Sequence, residues 1–558
     1  MNCPECQSVI PQGKTFCPKC GHQAPAQIPH GTSPATSGIN EKFLFWACFV
    51  SLIATSFAFV TRFAVLGDWG REFNLTGTQM GEIGGAGVWP FALSIILFSL
   101  VIDRIGYGTA MVFAFASHIL YGILVAFVAP NVGSHGYTVL YVGSFILALG
   151  NGTVEAVTNP VVATMFSKEK TKWLNMLHAG WPAGLVVAGL ITMGLGGADW
   201  RVKVGLIFIP AFIYGLMMLG QKWPVQERVA AGVSYMGMLQ EFGVLASLLV
   251  VPIIMRQIAT VFGLPIYMEL VLDAILIGAF AMTVKGAPGS PMLFVLMLIM
   301  MPLATTELGT DGWITTLMEK AMPAIHLPPV TVLVYTSFIM MLLRFCAGPI
   351  IHRLKPLGLL AASAAIAAVG LLLLSGATGI MILVVATVYA LGNTFSWPTM
   401  LGIVSEQCPR GGALTLNAVG GMGMLAVGVL GMPFIGWLQD SSATRHLQQE
   451  QPALCQQVEK EATGIVGRYT AIDQEKTDKL SAADQATVNA IVEKAKHGAL
   501  ATMAIFPVIM LIGYLLLMGY FAGKGGYKAV ELTAGGEAAR EAAGSGTEPA
   551  QPKAGSTS

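Results

Sequence analysis

Charge is what this chain has least of: 11% of its 558 residues are Asp, Glu, Lys or Arg, while 54% are hydrophobic. That balance is too apolar for a soluble enzyme of this length. A net charge of +1, with no basic stripe, argues against a nucleic-acid partner. Catalytic signatures are missing too: there is no G-x-S-x-G, no H-E-x-x-H and no cluster of histidines within the apolar runs. Glycine-rich stretches such as "GEIGGAGVWP" lack a following Walker lysine, so they read as close helix contacts rather than phosphate loops, and ATP-driven transport is not expected.

What is present is a series of apolar runs of about 20 residues, the length that crosses a bilayer core of about 30 Å. The runs predict an all-α polytopic membrane protein, with spans at 43–66, 79–101, 109–129, 138–162, 174–195 and 203–220, a pair at 243–262 and 266–284, and six more at 293–318, 329–350, 357–376, 379–402, 412–437 and 498–522. The second member of the pair is short and carries Glu269 and Asp273, which leaves open a re-entrant or interfacial hairpin. The expected organisation is therefore a bundle over 43–220, a linker and extra helical pair over 221–292, a second bundle over 293–522, and a low-complexity, disordered tail over 523–558. An outer loop, 439–497, is expected to form two amphipathic helices capping the outer mouth.

Four of the eight cysteines open the chain, in "CPECQSVIPQGKTFCPKC". Cys3, Cys6, Cys17 and Cys20 form two C-x-x-C knuckles, the spacing that closes a thiolate tetrahedron around one structural Zn²⁺. Two disulfides are the alternative, but no signal peptide precedes the cysteines. The reading is a zinc ribbon over 1–23, a flexible linker over 24–42, and an amino terminus in the reducing cytosol. Alternate loops agree. Lys168, Lys170, Lys172, Lys222, Arg228, Lys285, Arg353, Lys355, Arg410, Lys524 and Lys528 fall on the amino-terminal side; Arg71, Arg201, Lys203 and Lys320 fall on the other. Both termini are expected in the cytoplasm, and a bacterial inner membrane is the expected location. The ribbon is also a candidate docking site for a cytosolic protein.

The two sets of six resemble each other. "LALGNGTVEAVTNP" in the fourth span has a counterpart in "YALGNTFSWPTMLG"; "WLNMLHAGWPAGLVVAGL" and "ALTLNAVGGMGMLAVGVLG" follow, placing Asn175 and Asn417 at similar positions. Repeated halves suit a transporter that rocks one bundle against the other. "LVIDRIGYG" and "RFCAGPIIHRLKPLG" resemble the inner-loop signature of the major facilitator superfamily, carried by Asp103, Arg104 and Gly106 in one half and by Arg344, Gly348 and Arg353 in the other. The resemblance implies the two-bundle fold of that superfamily and casts these residues as a latch; plain positive-inside anchoring is the alternative. E-x-x-x-N-P in "EAVTNP", followed by Leu-Asn, resembles the fucose and glucose/galactose proton symporters of that superfamily. There the matching glutamate is proton- and sugar-linked, and Glu155 inherits that role. The first-helix carboxylate of the group is absent here: Arg62 and Phe63 occupy its neighbourhood, with Asp68 nearer the outer surface.

A carboxylate within a span costs about 2.5–3.5 kcal/mol to insert and marks a cavity or a partner. Glu155 sits among Asn151, Asn159 and the helix-breaking Pro160. In the second half Glu307 and Asp311, four apart, share a face with Trp313 nearby, a combination suited to hydroxyl groups and an apolar sugar face. Asn393 and Trp397, with Pro398, and His178 and Trp181 complete the candidate pathway. The function expected is secondary transport of a small polar solute, a sugar or related polyol, by alternating access with proton symport. A transporter-like sensor signalling through the zinc ribbon is the first alternative, an intramembrane enzyme the second.

Overall fold

A computed structural model of the chain describes residues 38–532, other than 76, 319–321, 323–325, 329, 465 and 466. The zinc-ribbon cysteines and the tail beyond residue 532 lie outside the described residues.

Among the described residues, thirteen helices are long and apolar enough to cross a membrane. They are, with the shorter apolar helix Thr331–Phe345 counted as span 10, spans 1–14 in chain order: Glu41–Glu72, Gln79–Ile105, Tyr107–Asn131, Gly136–Met165, Lys170–Gly194, Trp200–Met218, Tyr235–Phe262, Ile266–Thr283, Pro291–Gly312, Thr331–Phe345, Ala347–Leu374, Met381–Gln407, Pro409–Glu450 and Ala482–Gly523. Span 1 shows why such segments are helices. Asn40 caps it by accepting from the Phe43 amide at 3.2 Å, Glu41 lies in its first turn and Arg71 in its last. Its 32 residues extend about 48 Å, past the hydrocarbon on both sides.

Spans 1–6 form one bundle and spans 9–14 the other. The extra pair, spans 7 and 8, is two full helices, and most of span 8 faces outward. Span 7 breaks at Gly243, whose φ of 64° suits glycine, and the loop before span 9 fills the break. Val244 and Leu245 amides donate to the Ala287 and Pro288 carbonyls, each at 3.0 Å, and Ser290 donates back to Glu241 at 2.9 Å. A Cβ on Gly243 would lie 2.2 Å from Gly289.

The outer loop differs from the expected helix pair. Span 13 continues to Glu450, a short helix Pro452–Val458 follows, and Glu459–Gly464 pairs antiparallel with Gly467–Ile472 before span 14 begins. β-Branched and aromatic residues in "RYTAI" favour the extended form, and the strands pair out to Gly464 and Gly467. Leu447, Leu454, Cys455, Val458, Val488 and Ile491 give this cap its own small core, with Cys455 buried as a free thiol.

Candidate functional site

Helix breaks shape the space between the bundles. Span 5 divides at Ala179 and span 12 at Thr394 and Phe395. The cause is legible in "HAGWP" and "TFSWP": Pro182 and Pro398 lack the N–H that would engage the carbonyl four residues back, on His178 and Thr394. Both freed carbonyls go to one group. Arg344 Nη1 donates to His178 O at 2.8 Å and Arg344 Nε to Thr394 O at 2.7 Å. Its Nη2 donates to Glu307 Oε1 at 2.9 Å, a pair in which both side chains are buried. Glu307 itself sits in a π-helical turn, Thr305–Gly309, just after Pro302, a distortion that re-aims side chains.

Around this pair lies a pocket whose lining comes from both halves: Glu155, His178 and Trp181 from the first, Glu307, Leu308, Arg344, Trp397 and Met424 from the second. Its free volume is about 20 Å³, room for a single water. The two Trp-Pro pairs thus place one indole each against it. On the first half, Asn159 links the titratable groups: its Nδ2 donates to Glu155 Oε2 at 3.3 Å and its Oδ1 accepts from His178 Nε2 at 2.9 Å. The second oxygen of Glu307 and the indole N–H of Trp397 are buried without a partner among the described residues. The arrangement offers acceptors, donors and two flat apolar faces, which is what a polyhydroxylated solute needs.

Other expected residues lie elsewhere. Asn151 pairs with His118 Nε2 at 2.8 Å, and His118 Nδ1 with the Tyr214 hydroxyl at 2.8 Å, inside the first bundle. Asn393 donates to Tyr389 at 3.2 Å. Asp311 is half-buried, a turn beyond Glu307 and outside the pocket lining; the Trp313 side chain lies outside the described residues. Asn175 and Asn417 join the bundles reciprocally. Asn175 Nδ2 reaches Thr399 Oγ1 at 3.1 Å; Asn417 Nδ2 reaches Ser99 Oγ at 2.9 Å and Ala156 O at 3.0 Å. The Ala156 carbonyl is free for this because Pro160 follows four residues on.

The residues read as a latch divide. Arg344, grouped with the loop motif by its sequence position, is in the pocket because span 10 carries it inward to Glu307. Asp103 pairs with Arg228 of the connector, Arg104 lies 4.6 Å over the Tyr235 ring, and Gly106 has a φ of 82° at the turn. Gly348 packs under the Lys172 stem, while Arg353 is exposed. Closure at this end rests on Lys170, which the sequence marked only as a loop cation, and on side chains it did not single out. Lys170 Nζ meets Glu227 at 2.5 Å and Ser405 O at 3.2 Å, and Thr171 donates to Glu406 at 2.5 Å. Beside them Glu169, outside the spans, is held below the ordinary carboxylate range by its hydrogen bond from Lys172, with desolvation opposing and His352 assisting. The missed signal was the polar run "SKEKTKW" facing "SEQCPR".

The sequence profile of the Major Facilitator Superfamily matches residues 44–432. No curated protein sequence matches the chain. Similar solved structures include the transporter FucP in its outward conformation (15% identity, TM-score 0.52, 84% of this chain and 98% of that one). They also include the proton:xylose symporter XylE bound to 6-bromo-6-deoxy-D-glucose (12%, 0.57, 88% and 98%) and the human organic anion transporter MFSD10 (11%, 0.55, 85% and 99%). At these identities the likeness is one of fold.

Proposed function

The chain belongs to the major facilitator superfamily, and on that premise we propose that it is a secondary active transporter moving a small polar solute of the sugar class, coupled to protons through Glu155. One observation carries the reading: a buried pocket built jointly by the two halves, with a carboxylate from each and an arginine paired to only one of them. A solute bound there touches both bundles, so its arrival and departure bias their relative position. Among the described residues Glu155 has no cation in contact, only the Asn159 amide; as a neutral acid it leaves the Arg344–Glu307 pair balanced, and as an anion it adds an uncompensated charge to a water-poor site.

The proposal extends to orientation and metal. Lysine and arginine gather on the face where span 1 begins, which supports cytoplasmic termini. The C-x-x-C pairs support one structural Zn²⁺ on Cys3, Cys6, Cys17 and Cys20. Stoichiometric zinc in the purified chain is expected, and its absence would remove the ribbon.

The deciding test is uptake of a sugar panel into proteoliposomes with and without an inward proton gradient. Glu155→Gln is expected to abolish gradient-driven accumulation while downhill exchange continues. Accumulation unchanged in that variant would take Glu155 out of the coupling role.

A further inference from the structure

Arg62 is the most fully buried cation that the pocket does not use. It lies in span 1 at 1% exposure, and none of its three guanidinium nitrogens has a hydrogen-bond partner among the described residues. The Phe59 and Phe63 rings lie 5.9 and 5.0 Å from Cζ; they soften the desolvation but accept no conventional hydrogen bond. The carboxylates nearest to it in sequence are engaged elsewhere. Asp68 is taken by Arg71, Glu72 by Arg201 and Trp200, and Glu82 by the Tyr137 hydroxyl at 2.5 Å. The Tyr121 hydroxyl is likewise buried without a hydrogen-bond partner among the described residues. Burying a charge in this way is unfavourable unless a counter-charge arrives.

The surroundings are shaped for that arrival. Span 2 breaks between Ala86 and Trp89, and a Cβ on Gly87 would fall 1.0 Å from Arg62 Nη1. The glycine therefore exists to let the guanidinium lie against the break. The seventeen-residue helix Trp89–Ile105 begins beside it with no side-chain cap, adding the positive end of its dipole. The spot adjoins the pathway: a Cβ on Gly428 of the other half would lie 3.3 Å from Val88, and Phe59 contacts the pocket's Trp181 with ring centroids 6.0 Å apart.

We propose that Arg62, the Gly87 break and the start of the Trp89 helix form a carboxylate subsite, so that the transported solute is a sugar-like acid rather than a neutral sugar. This rests on the transport reading above and narrows its substrate class. The test compares galactose with galacturonate, which differ by a carboxylate, in uptake and in thermal shift of the full-length purified protein. Galacturonate is expected to be handled at least about ten-fold better. Arg62→Gln should erase that preference, bringing galacturonate down to the galactose level, and Arg62→Lys should retain part of it. In the absence of any sugar, Arg62→Gln should raise Tm, since it removes an unopposed buried charge. Equal handling of the two sugars, or a shift produced as well by chloride, would overturn the subsite. A lowered Tm in sugar-free Arg62→Gln would overturn it as well, because the charge would then be satisfied within the fold. Uptake of neither sugar would reject the sugar-transport reading, and the sugar-free Tm comparison would still decide the role of Arg62.

Discussion

Arg344 and His178 are joined across the two bundles, the guanidinium of one donating to the main-chain oxygen of the other at 2.8 Å. The acceptor is available because Pro182 stands four residues further along.

Pro182→Ala supplies the missing N–H and lets the helix reclaim that carbonyl. Span 5 should become straighter and the protein no less stable, while transport falls by roughly ten-fold as Arg344 loses its tether to the first half. Uptake together with Tm checks this; a variant with full transport would show that the carbonyl contact is dispensable.

Arg344→Gln leaves Glu307 buried without its cation, which costs about 3–5 kcal/mol when a buried pair is broken one-sidedly. The doubly neutral Arg344→Gln with Glu307→Gln should recover most of the lost Tm but none of the uptake. If the double variant is as unstable as the single one, the pair is not the source of the loss.

Asn417→Leu orphans the Ala156 carbonyl, whose helical partner Pro160 has already removed, at a cost of about 1–3 kcal/mol to the closed arrangement. A cysteine placed at Ala163, in a Cys346→Ser background, should then react faster with maleimide. Adding Pro160→Ala, which returns an N–H to Ala156, should slow it again.

Glu169 is held ionised below its ordinary range by Lys172, and the carboxylate also lies 3.3 Å from His352 of the second half. The Lys172 contact is therefore at full strength above the normal glutamate pKa, and weakens as pH falls through the lowered value. Both side chains are partly exposed, so the effect is small and salt-sensitive. With cysteines at Lys168 and Arg353, Glu169→Gln should lower the neutral plateau of the cross-linking profile to the level the unsubstituted pair reaches in acid, and so flatten the acid limb.

Much of this architecture was legible in the sequence because hydrocarbon thickness imposes its length on every span, and because Glu155 is conspicuous in an apolar run. The extra pair could be found but not the Gly243 break, which depends on backbone groups of a loop more than 40 residues away. Arg344 was misplaced because its neighbours spell a loop motif; depth in the bundle, which one-dimensional reading gives only to within a turn, decides whether an arginine latches or lines a cavity. Asn151 and Asn159 look alike in sequence, two turns apart on one helix, yet one meets His118 and the other Glu155. The hairpin at 459–472 was lost to a composition of Glu, Lys and Ala that reads as helix.

The tether between the halves has one further property. Its acceptor is a peptide oxygen, which does not titrate in water-accessible pH ranges, whereas the partner beside it is a carboxylate. A proton that reaches Glu307 can cancel that charge without disturbing the two carbonyls on Arg344. The mechanical connection is in this sense insulated from the acid–base chemistry next to it, and a proton can change the pocket's charge while the joint that transmits its motion stays fastened.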